Sequence, residues 1–126
     1  MPNRILVYSP LSRRDLDEIF DYISRELENP VAAHETVNAI LDGTESLEGF
    51  PFVGSLVEGI PFLNEEYRFL TVRNYLIFYR VTDTQIFVDR ILYKKRDYGQ
   101  LLGLYFLSTI QHPQQKLRRL FRRINT

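Results

Sequence analysis

The chain has 126 residues, 44% hydrophobic and 25% charged, a composition that supports one globular domain with an adequate core. It contains no cysteine and only two histidines, His34 and His112, so disulfides and thiolate metal sites are excluded and no ligand spacing suggests a zinc site. The net charge of zero divides unevenly: residues 1–66 carry −9, residues 67–98 carry +4 and residues 104–126 carry +5. Two readings of that asymmetry remain open: a polyanionic partner for the basic half, or acidic helices compensating a basic sheet.

In chain order, residues 4–8, RILVY, read as a first strand bounded by Ser9-Pro10. Ser9 suits a helix N-cap and Pro10 the first helical position, where no N–H partner is needed. Leu16, Ile19, Phe20, Ile23 and Leu27 then fall at helical spacing on one buried stripe. Arg13, Arg14, Asp15, Asp17, Glu18 and Asp21 are expected on the solvent face. Asn29-Pro30 repeats the cap-then-proline signal before a second helix, with Ala33, Val37, Ile40, Leu41 and Leu47 on its stripe and an end near Gly49. The short connection predicts an antiparallel helical hairpin. His34 reads as a surface helix residue.

Residues 50–66 are rich in Pro and Gly and read as an irregular connection with a short strand near Ser55–Val57. Three strands follow, YRFLTV (67–72), YLIFYRV (75–81) and QIFVDRILY (85–93), rich in β-branched and aromatic residues. Arg73-Asn74 makes a two-residue turn, with Asn74 expected to take positive φ, and Thr82-Asp83-Thr84 makes a second hairpin loop. The fold class is α+β: β-α-α-β-β-β, a helical hairpin packed on an antiparallel sheet. Tyr67, Tyr75, Tyr79, Tyr93 and Tyr98 read either as half-buried packing residues with wet hydroxyls or as base-stacking groups. Arg80 is expected to pair with Asp89, Asp83 or a helix acid, and Arg90 either to pair in the same way or to bind a partner.

Three segments, SPLSRRDLDEIFDYI, NYLIFYRV and VDRILYKKRDY, stand in a collinear order that resembles the RelE/ParE superfamily, the toxins of type II toxin–antitoxin systems. The resemblance covers about residues 4–102. It implies a small cytoplasmic toxin, free of cofactor and metal, that inhibits bacterial growth, serves plasmid stabilisation and is silenced by a cognate antitoxin. In the ParE branch the target is DNA gyrase. In the RelE branch it is mRNA on the ribosome, cut without metal. A degenerate module that only binds its antitoxin is the third reading.

RNA cleavage through the 2′-hydroxyl needs a proton acceptor, cations for the developing phosphate charge and an acid for the leaving oxygen. The family's cation positions correspond here to Arg68, Leu70 and Leu76, and to Lys95 or Arg96 at the last strand's end. Its terminal tyrosine falls near Leu101 or Leu102, with Tyr98 one helical turn earlier. For a ribonuclease the resemblance thus implies Arg68, Lys95, Arg96 and Tyr98 as catalytic residues, with two cation positions lost to leucine. Arg90, Lys94, Lys95 and Arg96 are the expected binding cations in either branch.

Beyond the toxin-like domain, taken as residues 1–103, residues 104–126 form a basic extension. Pro113 can open a short helix there, with Leu117, Leu120, Phe121 and Ile124 on one stripe among Lys116, Arg118, Arg119, Arg122 and Arg123. This extension reads as a nucleic-acid arm, a membrane-surface helix, a segment docked on the body or on a second subunit by its apolar stripe, or a fused or read-through segment foreign to the family domain. No apolar run reaches membrane-spanning length.

Overall fold

The computed structural model describes residues 4–58 and 66–95. Strand β1 (Ile5–Tyr8) leads into α1 (Pro10–Asp21), a π-type turn over Tyr22–Glu26, and α2 (Pro30–Ser46). Strands β2 (Ser55–Leu56), β3 (Arg68–Val72), β4 (Tyr75–Val81) and β5 (Gln85–Tyr93) follow. They form one five-stranded sheet in the order β1-β5-β4-β3-β2. The α+β reading holds, with one correction: β1 pairs with β5 in parallel, so the sheet is mixed. Parallel neighbours need a long crossover. The helical hairpin together with β2, β3 and β4 supplies it, placing first and last strands side by side.

Both predicted caps form. The Ser9 hydroxyl accepts from the Ser12 N–H at 3.0 Å and donates to the Asp89 carbonyl at 2.7 Å, so one side chain starts α1 and ties it to β5. The Asn29 side chain accepts from the Ala32 N–H at 3.1 Å. Each cap contributes about 1 kcal/mol. The buried stripe of the first helical segment is Ser12, Asp15, Ile19 and Ile23. Leu27 was expected on it but is 56% exposed. The π-type turn inserts an extra residue into the helical period, and Glu28 then takes φ 51° as the chain reverses. In α2 the buried positions are Ala33, Thr36, Ile40 and Thr44, with Val37 and Leu41 half-buried. The helix proper ends at Ser46, ahead of a turn through Gly49.

The core lies between the hairpin and one sheet face, where Ile19, Ile23, Ala33 and Ile40 meet Ile77, Val88 and Ile91. Gly43 brings α2 against β3: a Cβ there would stand 2.7 Å from Val72 Cγ2, so a larger residue forces a shift at that contact. At the β3–β4 turn Arg73, not Asn74, takes the positive φ, 53°. Tyr67 and Tyr79 are fully buried rather than half-buried. The Tyr79 hydroxyl accepts from the Gly54 N–H at 2.9 Å and seats the loop ahead of β2.

Burial raises the Tyr8, Tyr75 and Tyr79 hydroxyls above the ordinary 10.0. The Thr44 bond opposes that rise at Tyr8, and the Gly54 bond and Arg68 oppose it at Tyr79. At Tyr75 the neighbouring Tyr93 and Tyr22 add to it. A raised acid favours the neutral form in the folded state, so the stability it contributes is intact below the unfolded value and lost above it. The urea midpoint is therefore expected to hold steady up to about pH 9 and to fall as pH rises past about 10. Midpoints measured at several pH values, beside a 295 nm titration of folded and urea-unfolded protein, check this. Coincident titration curves would contradict it.

Candidate functional site

Two ion pairs organise the sheet ends. On β5, Asp89 is the extra residue of a β-bulge: Phe78 pairs with Arg90 while Tyr79 pairs with Val88. The bulge turns the Asp89 carboxylate toward Arg80, whose Nε donates at 2.7 Å and Nη2 at 3.3 Å, and toward the Tyr67 hydroxyl, which also donates to it. The Arg80 guanidinium lies over the rings of Tyr67 and Phe87. The structural role expected for Arg80 is thus what the geometry shows.

Arg90 makes the second pair. Its Nε and Nη2 donate to Asp15 at 2.9 and 3.0 Å, and the same carboxylate accepts the Ile91 N–H at 2.9 Å. Asp15 was expected on the solvent face of α1 but is 5% exposed and faces the sheet. It stands where β5 has run past β1, whose pairing with β5 ends at Tyr8–Val88. The carboxylate takes the place of a strand neighbour for the last part of β5. Acidic helix and basic sheet therefore compensate each other here, one of the two readings of the charge asymmetry.

Among the described residues the candidate cations do not converge. Arg68 pairs in register with Tyr79, whereas the Lys94 N–H bonds the Asn74 carbonyl at the far end of β4. Five residues of strand separate those positions, about 17 Å. Arg68 is also engaged locally. Its Nη1 donates to the carbonyls of Phe52 at 3.2 Å and Gly54 at 2.8 Å, Nη2 approaches Glu66 at 3.4 Å, and its guanidinium lies over the Phe52 ring. Leu70 and Leu76 occupy the two positions where cations are lost. Leu70 packs beneath α2 near Gly43, and Leu76 is buried on the other face of β4.

What remains is the corner where β5 ends. Lys94 and Lys95 are exposed there beside the exposed Arg73 and Asn74. Arg96 and Tyr98, like residues 104–126, lie outside the described residues. His34 is exposed and meets Phe20 edge-on at 4.9 Å, as a surface helix residue does. Among the described residues no group of His, Asp and Glu could hold a metal ion, and no helix is long and apolar enough to cross a membrane.

Beside this corner a cleft of about 650 Å³ opens between the helical hairpin and the sheet. Its floor is Ile19, Ile23 and Ile91, with Tyr22, Tyr75 and Tyr93 on its walls. Glu18 stands on the helix side and Arg73 on the sheet side. The sequence reading missed this feature, because it forms between side chains from five separate elements. The one available signal was the unpaired apolar excess at the end of the first helical segment.

The family model described as ParE toxin of type II toxin–antitoxin system, parDE, matches residues 6–98. Among solved structures, a chain of the chromosomal ParDE TA system from P. aeruginosa is similar, with a TM-score of 0.59 and 25% sequence identity. That alignment covers 71% of this chain and 95% of the other. No curated protein matches the sequence. The family match leaves the basic extension outside.

Proposed function

The chain belongs to the ParE toxin family of type II toxin–antitoxin systems, and on that premise we propose that it arrests bacterial growth by protein contact with DNA gyrase, under the control of a cognate antitoxin. The observation that carries the gyrase branch is the separation of Arg68 from Lys94 and Lys95 by about 17 Å along β4. A phosphate cannot be clamped by cations so far apart, and Arg68 is already bonded to two loop carbonyls. With Leu70 and Leu76 in the two intervening positions, general acid–base cleavage of RNA has few of its parts. An Arg side chain is also a poor proton acceptor.

A poison that works by binding needs an exposed, oriented contact surface instead. Lys94 and Lys95 supply one, at the end of a strand held by Asp15. Arg96 extends the cluster in sequence. A cationic corner steers association with a protein that carries or mimics polyanionic surface.

Purified full-length protein is expected to block gyrase supercoiling or trap cleaved DNA, and to leave ribosome-bound mRNA intact. Cleavage of that mRNA, abolished by Arg68→Ala with Arg96→Ala, would overturn the gyrase reading in favour of the ribonuclease branch. Soluble, folded protein expressed at high level without growth arrest would overturn the toxin reading and leave an antitoxin-binding module.

A further inference from the structure

The cleft between the hairpin and the sheet has the shape and chemistry of a seat for an amphipathic segment. Its floor is aliphatic and its walls are tyrosine rings. At its mouth Tyr22 is 54% and Leu27 56% exposed, more apolar surface than a helix turn ordinarily leaves in water. On the helix side Glu18 lines the cleft, and α1 also exposes Asp17 and Asp21 beside Arg13 and Arg14. The sheet-side lip is basic, with Arg73 lining the cleft and Lys94 just beyond it. An apolar occupant that sets a cation against Glu18, away from Arg73, complements the cleft.

We propose that the cleft is the seat of the chain's own basic C-terminal segment, residues 113–126, which docks by the stripe Leu117, Leu120, Phe121 and Ile124. Three observations converge on this occupant. The segment's stripe is apolar and its remaining charges, Lys116, Arg118, Arg119, Arg122 and Arg123, are all positive, with no acid among residues 104–126. Its target lip lies in the half of the chain that carries net −9. The geometry also favours an intramolecular partner. Tyr93 forms part of the cleft wall, and Lys95 follows it by two residues. The residues from there to Leu117 can span up to about 70 Å when extended, so reach is not limiting. Tethering so close to the seat makes the effective concentration of the segment high without any demand on intrinsic affinity. The cations engage Glu18 on the α1 side, and the stripe covers Ile19, Ile23, Tyr22 and Leu27. This assignment does not rest on the gyrase reading.

The absence of cysteine allows a single nitroxide to be attached at Gln115→Cys in the isotope-labelled full chain. The Ile19, Ile23 and Ile91 methyl signals are expected to broaden strongly, and the broadening to disappear when Phe121→Asp is added. Glu18→Lys should weaken it. Isotope-labelled chain without nitroxide, mixed with nitroxide-bearing unlabelled chain, should show none. Absent broadening, broadening confined to the exposed Phe50–Leu56 region, or broadening in the mixed sample, which would mean docking on a second copy, each overturns the assignment. The amide spectrum of residues 4–58 and 66–95 reports in the same experiment that the body is folded.

Discussion

Asp15→Ala is expected to destabilise the fold by about 3–5 kcal/mol, the range for breaking one side of a buried ion pair. The substitution leaves the Arg90 guanidinium, whose side chain is only 12% exposed, without its two hydrogen bonds, and strips the Ile91 N–H of its acceptor. Nothing in strand pairing replaces that acceptor, because β1 has already turned into α1 at this level. Asp15→Asn retains an acceptor for Ile91 but loses the charge opposite Arg90, and should fall between parent and alanine variant. The combined change Asp15→Leu with Arg90→Met removes both charges together. It should cost less than Asp15→Ala, since an apolar pair of similar volume often matches a buried ion pair. Urea denaturation followed by circular dichroism gives all three values. An alanine variant within about 1 kcal/mol of the parent would mean that the pair is a surface pair in energetic terms.

Asp15 also marks where the sequence stopped being informative. The Ser9-Pro10 signal located the start of the first helix, and its hydrophobic period the correct face for Ile19 and Ile23. It placed Asp15 in solvent only because charge was read as exposure. The buried stripe of Ser12, Asp15, Ile19 and Ile23 keeps helical spacing, but its polar members become legible only once Arg90 is known to lie across from them. Leu27 failed for the complementary reason: a π-type turn changes the period without a signal in residue type. Strand positions fared better. β3 to β5 are rich in β-branched and aromatic residues, and the Arg80–Asp89 pair was foreseeable from their places on adjacent strands.

Parallel pairing of β1 was not readable, since it depends on the path of the whole hairpin. For the candidate site, the sequence located the basic residues but not their separation. Arg68 and Lys95 are brought into one list by resemblance. The register of β3 on β4 sets them at opposite ends of the sheet.

The charge-reversed variant Lys94→Glu with Lys95→Glu is expected to lose growth arrest by a factor of about 100 or more while leaving stability within about 0.5 kcal/mol. Both side chains are exposed, and the bond from the Lys94 backbone N–H to the Asn74 carbonyl is kept by the substitution. Structural consequences should therefore be small, the opposite of Asp15→Ala. The functional consequence is large because reversal does more than delete attraction. It sets like charges against whatever acidic surface the corner meets, which slows encounter and raises the cost of the docked state. Neutral Lys94→Gln with Lys95→Gln should lie between, and its deficit should shrink as salt screens the parent's advantage. Growth arrest is measured by induction from a tightly repressed promoter, and supercoiling inhibition on purified protein. Full arrest by the reversed variant, at unchanged expression, would remove Lys94 and Lys95 from the target surface and move the search to the apolar Phe50–Leu56 loop, where Arg4 and Arg68 both lie over Phe52.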